Sequence, residues 1–194
     1  MNKLGLVVLL AGFCCVGNAS DYYRCSYLGK RQQGMIEAKS CLYFVAGTRH
    51  PITGGDGLIT RSVATGSEYD ENGLSYLYSS VGVFYFNQSG LVRKTLMRDN
   101  GPDDFRDGLA RTEWQGKIGF FDKALTVVIE PLYDFAFPFE NGIAVVCNGC
   151  SEQTAGEHAE RVGGFWGAIN TKGEIIHPIE YSKPELEARL ETRD

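Results

Sequence analysis

The chain has 194 residues, a formal net charge of −5 and six cysteines. Its basic residues are scattered among acids, so no cationic stripe is present to neutralise phosphates, and nucleic-acid binding is excluded as a function class. The length suffices for one domain, or for one repeat array with a small extra module, and its core does not depend on disulfides.

Lys3 supplies a positive start, and Leu4 to Val16 is an apolar run too short to span a bilayer comfortably. Gly17 and Ala19 are small residues placed for signal-peptidase cleavage before Ser20. Residues 1–19 therefore read as a signal peptide, and no membrane span is expected after its removal. Export to the periplasm is the expectation, with secretion or a lipid anchor at Cys14 or Cys15 as alternatives. The bulky Phe13 before Cys14 argues against lipoprotein processing.

Removal of the leader leaves Cys25, Cys41, Cys147 and Cys150. An even count in an exported chain reads as disulfides, with three pairings open. Local pairing, Cys25–Cys41 and Cys147–Cys150, is the simplest. Cys147-Asn148-Gly149-Cys150 follows the strand-like Ile143–Val146 and encloses a turn dipeptide. A redox role would need a helix N-terminus to depress a thiol pKa, and a zinc site would need a second such pair. A structural turn disulfide is expected.

Residues 20–57 read as a small disulfide-stapled β module, with Tyr22, Tyr23, Tyr27 and Leu42 to Val45 as strand formers. Gly54-Gly55-Asp56-Gly57 lacks the spacing and following helix of a phosphate cradle and reads as a loop. From residue 58 to 181 a degenerate repeat runs. Gly73, Gly108 and Gly142 recur 35 and 34 residues apart in Asn-Gly-Leu, Asp-Gly-Leu-Ala and Asn-Gly-Ile-Ala settings. A second element recurs as Val83–Asn87, Ile118–Asp122 and Trp166–Asn170, and Pro131 and Pro178 follow the last two copies. A fixed period of this size means one supersecondary unit copied and stacked. The fold class expected is all-β, an array of about three β-hairpin units, each proline closing a strand.

The third unit is longer than the second, and the excess between Cys147 and Gly164 is polar and reads as a surface loop. Residues 182–194 read as a capping helix or tail, with Pro184 in the first turn and Leu186 and Leu190 one turn apart.

Gly116-Lys117-Ile118-Gly119-Phe120-Phe121-Asp122, with Ile129-Glu130-Pro131 and Glu140-Asn141-Gly142-Ile143-Ala144 behind it, resembles the WG (KWG) repeat of bacterial proteins. Phe165-Trp166-Gly167-Ala168-Ile169-Asn170, with Ile176-His177-Pro178 and Tyr181, resembles the next copy. Gly119 keeps the glycine of the Trp-Gly pair, and Val83-Phe84 keeps neither residue. The resemblance spans about 70–181 and leaves the Cys25–Cys41 module outside. It implies a structural repeat and export, with no shared catalytic activity and no cofactor.

No residue constellation for catalysis is evident. His50, His158 and His177 share no metal-ligand spacing. Asp99, Asp103, Asp104 and Asp107 form an acidic loop without the bidentate Glu that calcium would want. Ser26, Ser75 and Ser79 have no nucleophile-elbow setting. The expected function is non-catalytic binding of another protein or an envelope component. The alternative is a periplasmic hydrolase using Asp99–Asp107 and Glu130–Asp134 as acid and base.

Overall fold

A computed structural model gives the structure of the protein and describes residues 22–31, 34–44, 57–155 and 158–191. The segment 1–19 expected to be a leader, with Cys14 and Cys15, the expected cut before Ser20, His50 and Gly54–Asp56 lie outside the described residues.

Strand β1 (Tyr22–Leu28) pairs antiparallel with β2 (Met35–Tyr43), Tyr22 opposite Tyr43 and Leu28 opposite Met35. The Cys25–Cys41 disulfide staples this hairpin, with 5.9 Å between the two Cα atoms. Then come β3 (Gly57–Ile59), helix α1 (Arg61–Gly66), β4 (Leu74–Ser79), β5 (Gly82–Asn87) and β6 (Leu91–Thr95). The six strands close into a barrel in the order β1-β2-β3-β6-β5-β4. Tyr27, Leu42, Leu77, Phe84, Phe86 and Val92 fill its interior. The stapled hairpin is therefore not a separate module, and the expected division after residue 57 cuts through a closed sheet. The physical reason is that a two-stranded hairpin cannot bury its apolar face alone, whereas closure with the first repeat unit covers the face and removes the edges.

The second unit begins after a two-strand ribbon, β7 (Met97–Arg98) with β8 (Gly101–Pro102). It is a three-stranded meander of β9 (Leu109–Trp114), β10 (Lys117–Asp122) and β11 (Val127–Tyr133). The third unit holds β12 (Phe135–Ala136), β13 (Ile143–Ala155), β14 (His158–Asn170) and β15 (Ile175–Tyr181) in that order across one sheet. Helix α2 (Lys183–Glu191) follows. The fold is an all-β repeat array, as its turn chemistry indicates. The turns at Asn87, Asp122 and Asn170 are built alike: each side-chain Oδ1 accepts backbone N–H groups two and four residues on, at 2.9–3.2 Å. Each unit opens on a tight turn. In the third, Asn141 and Gly142 both have positive φ, 52° and 80°, the primed turn that Asn-Gly favours.

The Trp-Gly glycine has a packing reason. A Cβ on Gly119 would stand 2.4 Å from the Ile129 carbonyl oxygen and 2.5 Å from Pro131 N; on Gly167 it would stand 2.7 Å from the His177 carbonyl oxygen. Opposite both glycines the register of the neighbouring strand slips. Pro131 and Pro178 sit within this irregular stretch, inside β11 and β15, so the expectation that each proline ends its strand is corrected. Both strands are sheet edges, where a bulge accommodates a residue with no N–H to donate. In the first unit Phe84 occupies the glycine position. There β5 pairs with β6 without a slip, and Phe84, 1% exposed, turns into the barrel.

The segment between Cys147 and Gly164 is also corrected. It is a continuous β-ribbon, paired from Ile143–Asn170 out to Ala155–His158. Asn148-Gly149 lies within β13 and is no hairpin turn. The ribbon is polar on both faces, so no alternation betrayed it; the backbone ladder and a Glu152–Arg161 cross-strand ion pair of 2.6 Å support it.

Arginines lock the unit boundaries. Arg111 forms an ion pair with Asp103 at 2.6 Å in a buried setting and donates from Nη1 to the Ala136 carbonyl at 2.9 Å, joining the second unit to the third. The Asp107 carboxylate accepts the Gly142 N–H at 2.7 Å, stacking one turn on its copy.

Candidate functional site

Phe135 and Phe137 flank the buried Ala136 and project from the same face of β12 and its continuation, because side chains alternate along an extended chain. Their rings meet edge to face at 4.9 Å. Behind them Trp166 is 1% exposed, 6.2 Å from Phe135 and 6.3 Å from Phe137, and its Nε1 donates to the Gly163 carbonyl at 2.8 Å. The Arg161 guanidinium lies 4.7 Å over Phe135, and Lys183 Nζ lies 5.7 Å and 5.6 Å from the Phe137 and Trp166 rings. The result is a row of aromatic rings with a cation at each end. Leu186 of α2 is fully buried against Trp166 and Cys147. At the start of the helix Ser182 Oγ and N both donate to the Glu185 carboxylate, which holds that carboxyl below its ordinary range.

Phe137 also lines an open groove of about 940 Å³. Its other walls include Arg98 on β7, Arg106, Glu140, Val145 and Leu190. Arg98 is exposed, and Arg106 makes one long contact with the exposed Asp104 at 4.0 Å. The groove thus joins a rigid aromatic floor to guanidinium groups on its rim.

The acids named for hydrolysis are dispersed. Asp103 is committed to Arg111, and Asp107 to Gly142 N. Asp134 accepts Gly149 N at 2.7 Å and Lys117 Nζ at 2.6 Å, which hold its carboxyl below the usual range. Glu130 is exposed on β11, and Asp99 stands in the β7–β8 turn. His177 is on β15, with a buried Nε2 that meets no hydrogen-bond partner. Among the described residues no group of three or more His, Cys, Asp or Glu could hold a metal ion, and no helix is long and apolar enough to cross a membrane. Cys147 pairs with Cys150, their Cα atoms 6.1 Å apart, where the ribbon leaves the sheet. Of the signature positions, Gly119 and Gly167 shape the sheets, Asp122 heads a turn, and Trp166 supports the groove floor. The sequence reading missed the Phe135–Phe137 row: the Phe-x-Phe alternation was visible, but its cations come from residues 161 and 183.

The family model described as the WG containing repeat matches residues 118–149 and 166–183. The chain carries WG repeats. The first WG match runs from β10 into β13, and the second from β14 into the start of α2. The interval between them, 150–165, is the projecting ribbon, so the insertion interrupts a WG repeat without breaking its sheet. The match does not extend to 70–117, a stretch that holds Phe84 in place of the glycine and the barrel strands β4 to β6. No curated protein and no solved structure matches the chain.

Proposed function

We propose that the protein is an exported, non-catalytic interaction module that docks another protein of the cell envelope on the groove beside β12. The observation that carries this reading is the groove itself, where Phe137 is held in place by Phe135 and Trp166 and left 38% exposed beneath Arg98 and Arg106. A preset aromatic anchor flanked by arginines is the composition of an interface hot spot. The dispersal of Asp103, Asp107 and Asp134 into structural bonds favours binding over hydrolysis. The apolar run Leu4–Val16, followed by the small residues Gly17 and Ala19 before Ser20, supports the export reading. A photo-crosslinking residue placed at Phe137, in cells expressing the full chain, tests the docking face. A discrete crosslinked partner, lost when Arg98 and Arg106 are both changed to alanine and absent from a probe at Val128, is the expected result. Equal crosslinking from both probes would remove the reading.

A further inference from the structure

The β4–β5 turn of the first unit and the β9–β10 turn of the second both line one cavity of about 340 Å³. Equivalent turns of successive repeats lie on one face of an array, often its binding face. Tyr23, Phe44 and Phe84 line the cavity from the barrel, with Val81 from the β4–β5 turn. The three rings form a ladder. Tyr23 lies edge to face with Phe44 at 5.5 Å, and Phe44 lies 6.2 Å from Phe84, which is 1% exposed. A fully buried ring thus anchors two half-buried ones. From the second unit Trp114 and Gln115 line the cavity. Gln115 and Gly116 have positive φ, 51° and 76°, the primed turn that closes a tight hairpin. Glu113 Oε1 accepts the Gly116 N–H at 3.0 Å and braces that turn. Trp114 is half-buried, and its Nε1 donates to no described residue. A tryptophan N–H that protein partly covers ordinarily finds an acceptor, and this one is left for a ligand.

The charged pair in the cavity decides the kind of ligand. Lys94 Nζ and Glu113 Oε2 stand 2.5 Å apart, with side chains 32% and 29% exposed. Burial pushes the Glu113 carboxyl up, but Lys94 and the Gly116 N–H outweigh it and hold the group below its ordinary range. The two charges cancel where they stand. A cation would meet Lys94 and an anion would meet Glu113, so neither gains. A wholly apolar ligand would bury the indole N–H without an acceptor. Each Glu113 oxygen accepts one bond and keeps a second lone pair that a hydroxyl can use. A neutral ring with hydroxyls on its rim and C–H groups on its face meets all these conditions, since slightly positive C–H groups suit the negative face of an aromatic ring. The volume is at the low end of the roughly 300–1,000 Å³ of small-molecule sites, which suits a single ring. We propose that this cavity binds a pyranose sugar, its C–H face against Tyr23 and Phe44, one hydroxyl donating to Glu113 and another accepting the Trp114 N–H. A free monosaccharide and the terminal residue of a glycan share this chemistry.

The test titrates the full folded chain with D-glucose, D-galactose, D-mannose and N-acetyl-D-glucosamine, and separately with choline chloride and indole. NMR follows the indole N–H signals of the two tryptophans. Trp166 spends its N–H on the Gly163 carbonyl, so the signal expected to move is that of Trp114. A saturable shift with at least one sugar is expected, with an affinity that does not change as salt is raised, because the ligand carries no charge. Trp114→Phe keeps a ring and removes the N–H. It is expected to weaken binding about tenfold, the scale of one hydrogen bond, as read from neighbouring backbone amide shifts. Glu113→Gln is expected to weaken it severalfold, and Glu130→Gln outside the cavity to leave it unchanged. No saturable response to any of the four sugars up to about 100 mM would overturn the proposal. So would choline or indole binding more tightly than every sugar, or unchanged affinity in both Trp114→Phe and Glu113→Gln. A trisaccharide ending in the preferred sugar that binds more tightly than the monosaccharide identifies a glycan end as the source; weaker binding identifies a free sugar.

Discussion

Arg93 donates to the carbonyl oxygen of Leu125 from Nε at 3.1 Å and from Nη2 at 3.0 Å. Arg93 is 1% exposed on β6, and Leu125 is fully buried in the β10–β11 turn. The contact ties the barrel to the second unit across 32 residues of chain. Leu125 has φ 64°, where the matching turn positions hold Gly90 and Gly173. A leucine in a glycine slot carries backbone strain, accepted here because its side chain packs with Leu74, Ala110 and Phe121.

Replacing Leu125 with glycine sets two effects against each other. Relief of the left-handed backbone returns about 1–2 kcal/mol. Emptying a buried leucine site costs about 2–5 kcal/mol, and the freer unfolded chain adds to that cost. Packing wins, so Leu125→Gly is expected to destabilise by about 1–3 kcal/mol in urea unfolding. A variant as stable as the parent would show that strain dominates at this site.

Gly119→Ala and Gly167→Ala put a methyl group into backbone atoms of β11 and β15, which cannot swing aside. Each is expected to cost about 3 kcal/mol or more, the upper range for overpacking. Gly116→Ala is the control: its Cβ meets open space at φ 76°, so only the backbone cost of about 1 kcal/mol remains. Denaturation of the three variants separates close approach from conformational freedom.

The pKa of Asp134 is depressed in the folded state by the Gly149 N–H and then by Lys117. A depressed carboxyl adds stability that is present above its unfolded pKa, near about 4, and is lost as pH falls through the folded value. Asp134→Asn is therefore expected to be less stable than the parent at neutral pH, with the gap closing below about pH 4. Hydrogen exchange at Gly149 should quicken in the variant at neutral pH. A gap that is constant with pH would mean the carboxylate charge is not what matters.

The two disulfides should contribute unequally. Cys25–Cys41 spans 16 residues, worth roughly 3 kcal/mol by loop-closure entropy. Cys147–Cys150 spans only 3 and restricts the unfolded chain little. Reductant is expected to lower the thermal midpoint equally in the parent and in Cys147→Ala/Cys150→Ala, and to have little effect on Cys25→Ala/Cys41→Ala. The opposite ranking would place the stabilising bridge at the ribbon.

The units were legible where local chemistry repeats: Asx-headed turns at Asp122 and Asn170, Asn141-Gly142, and the alternation of Ile118–Asp122. Barrel closure was not, because β1 pairs with β4 and β3 with β6 across stretches that share no local pattern. The ribbon was missed because Ser151–Thr154 and Glu160–Arg161 are polar on both faces. The groove drew on distant positions: Arg98, Phe137 and Leu190 meet only once three elements have packed.

Gly149 and Gly164 oppose each other where the ribbon leaves the sheet, and a Cβ on Gly164 would stand 2.4 Å from Cys150 N. Both depart from extended geometry, at φ 76° and 67°, yet Asn148 still faces Phe165 below them and Cys150 still faces Gly163 above. Because the pairing passes through unshifted, the outer ribbon can gain or lose residues in matched pairs without moving any pair beneath it. The array thus offers a graft point: a new tip can be exchanged at this level while the scaffold that carries it stays the same.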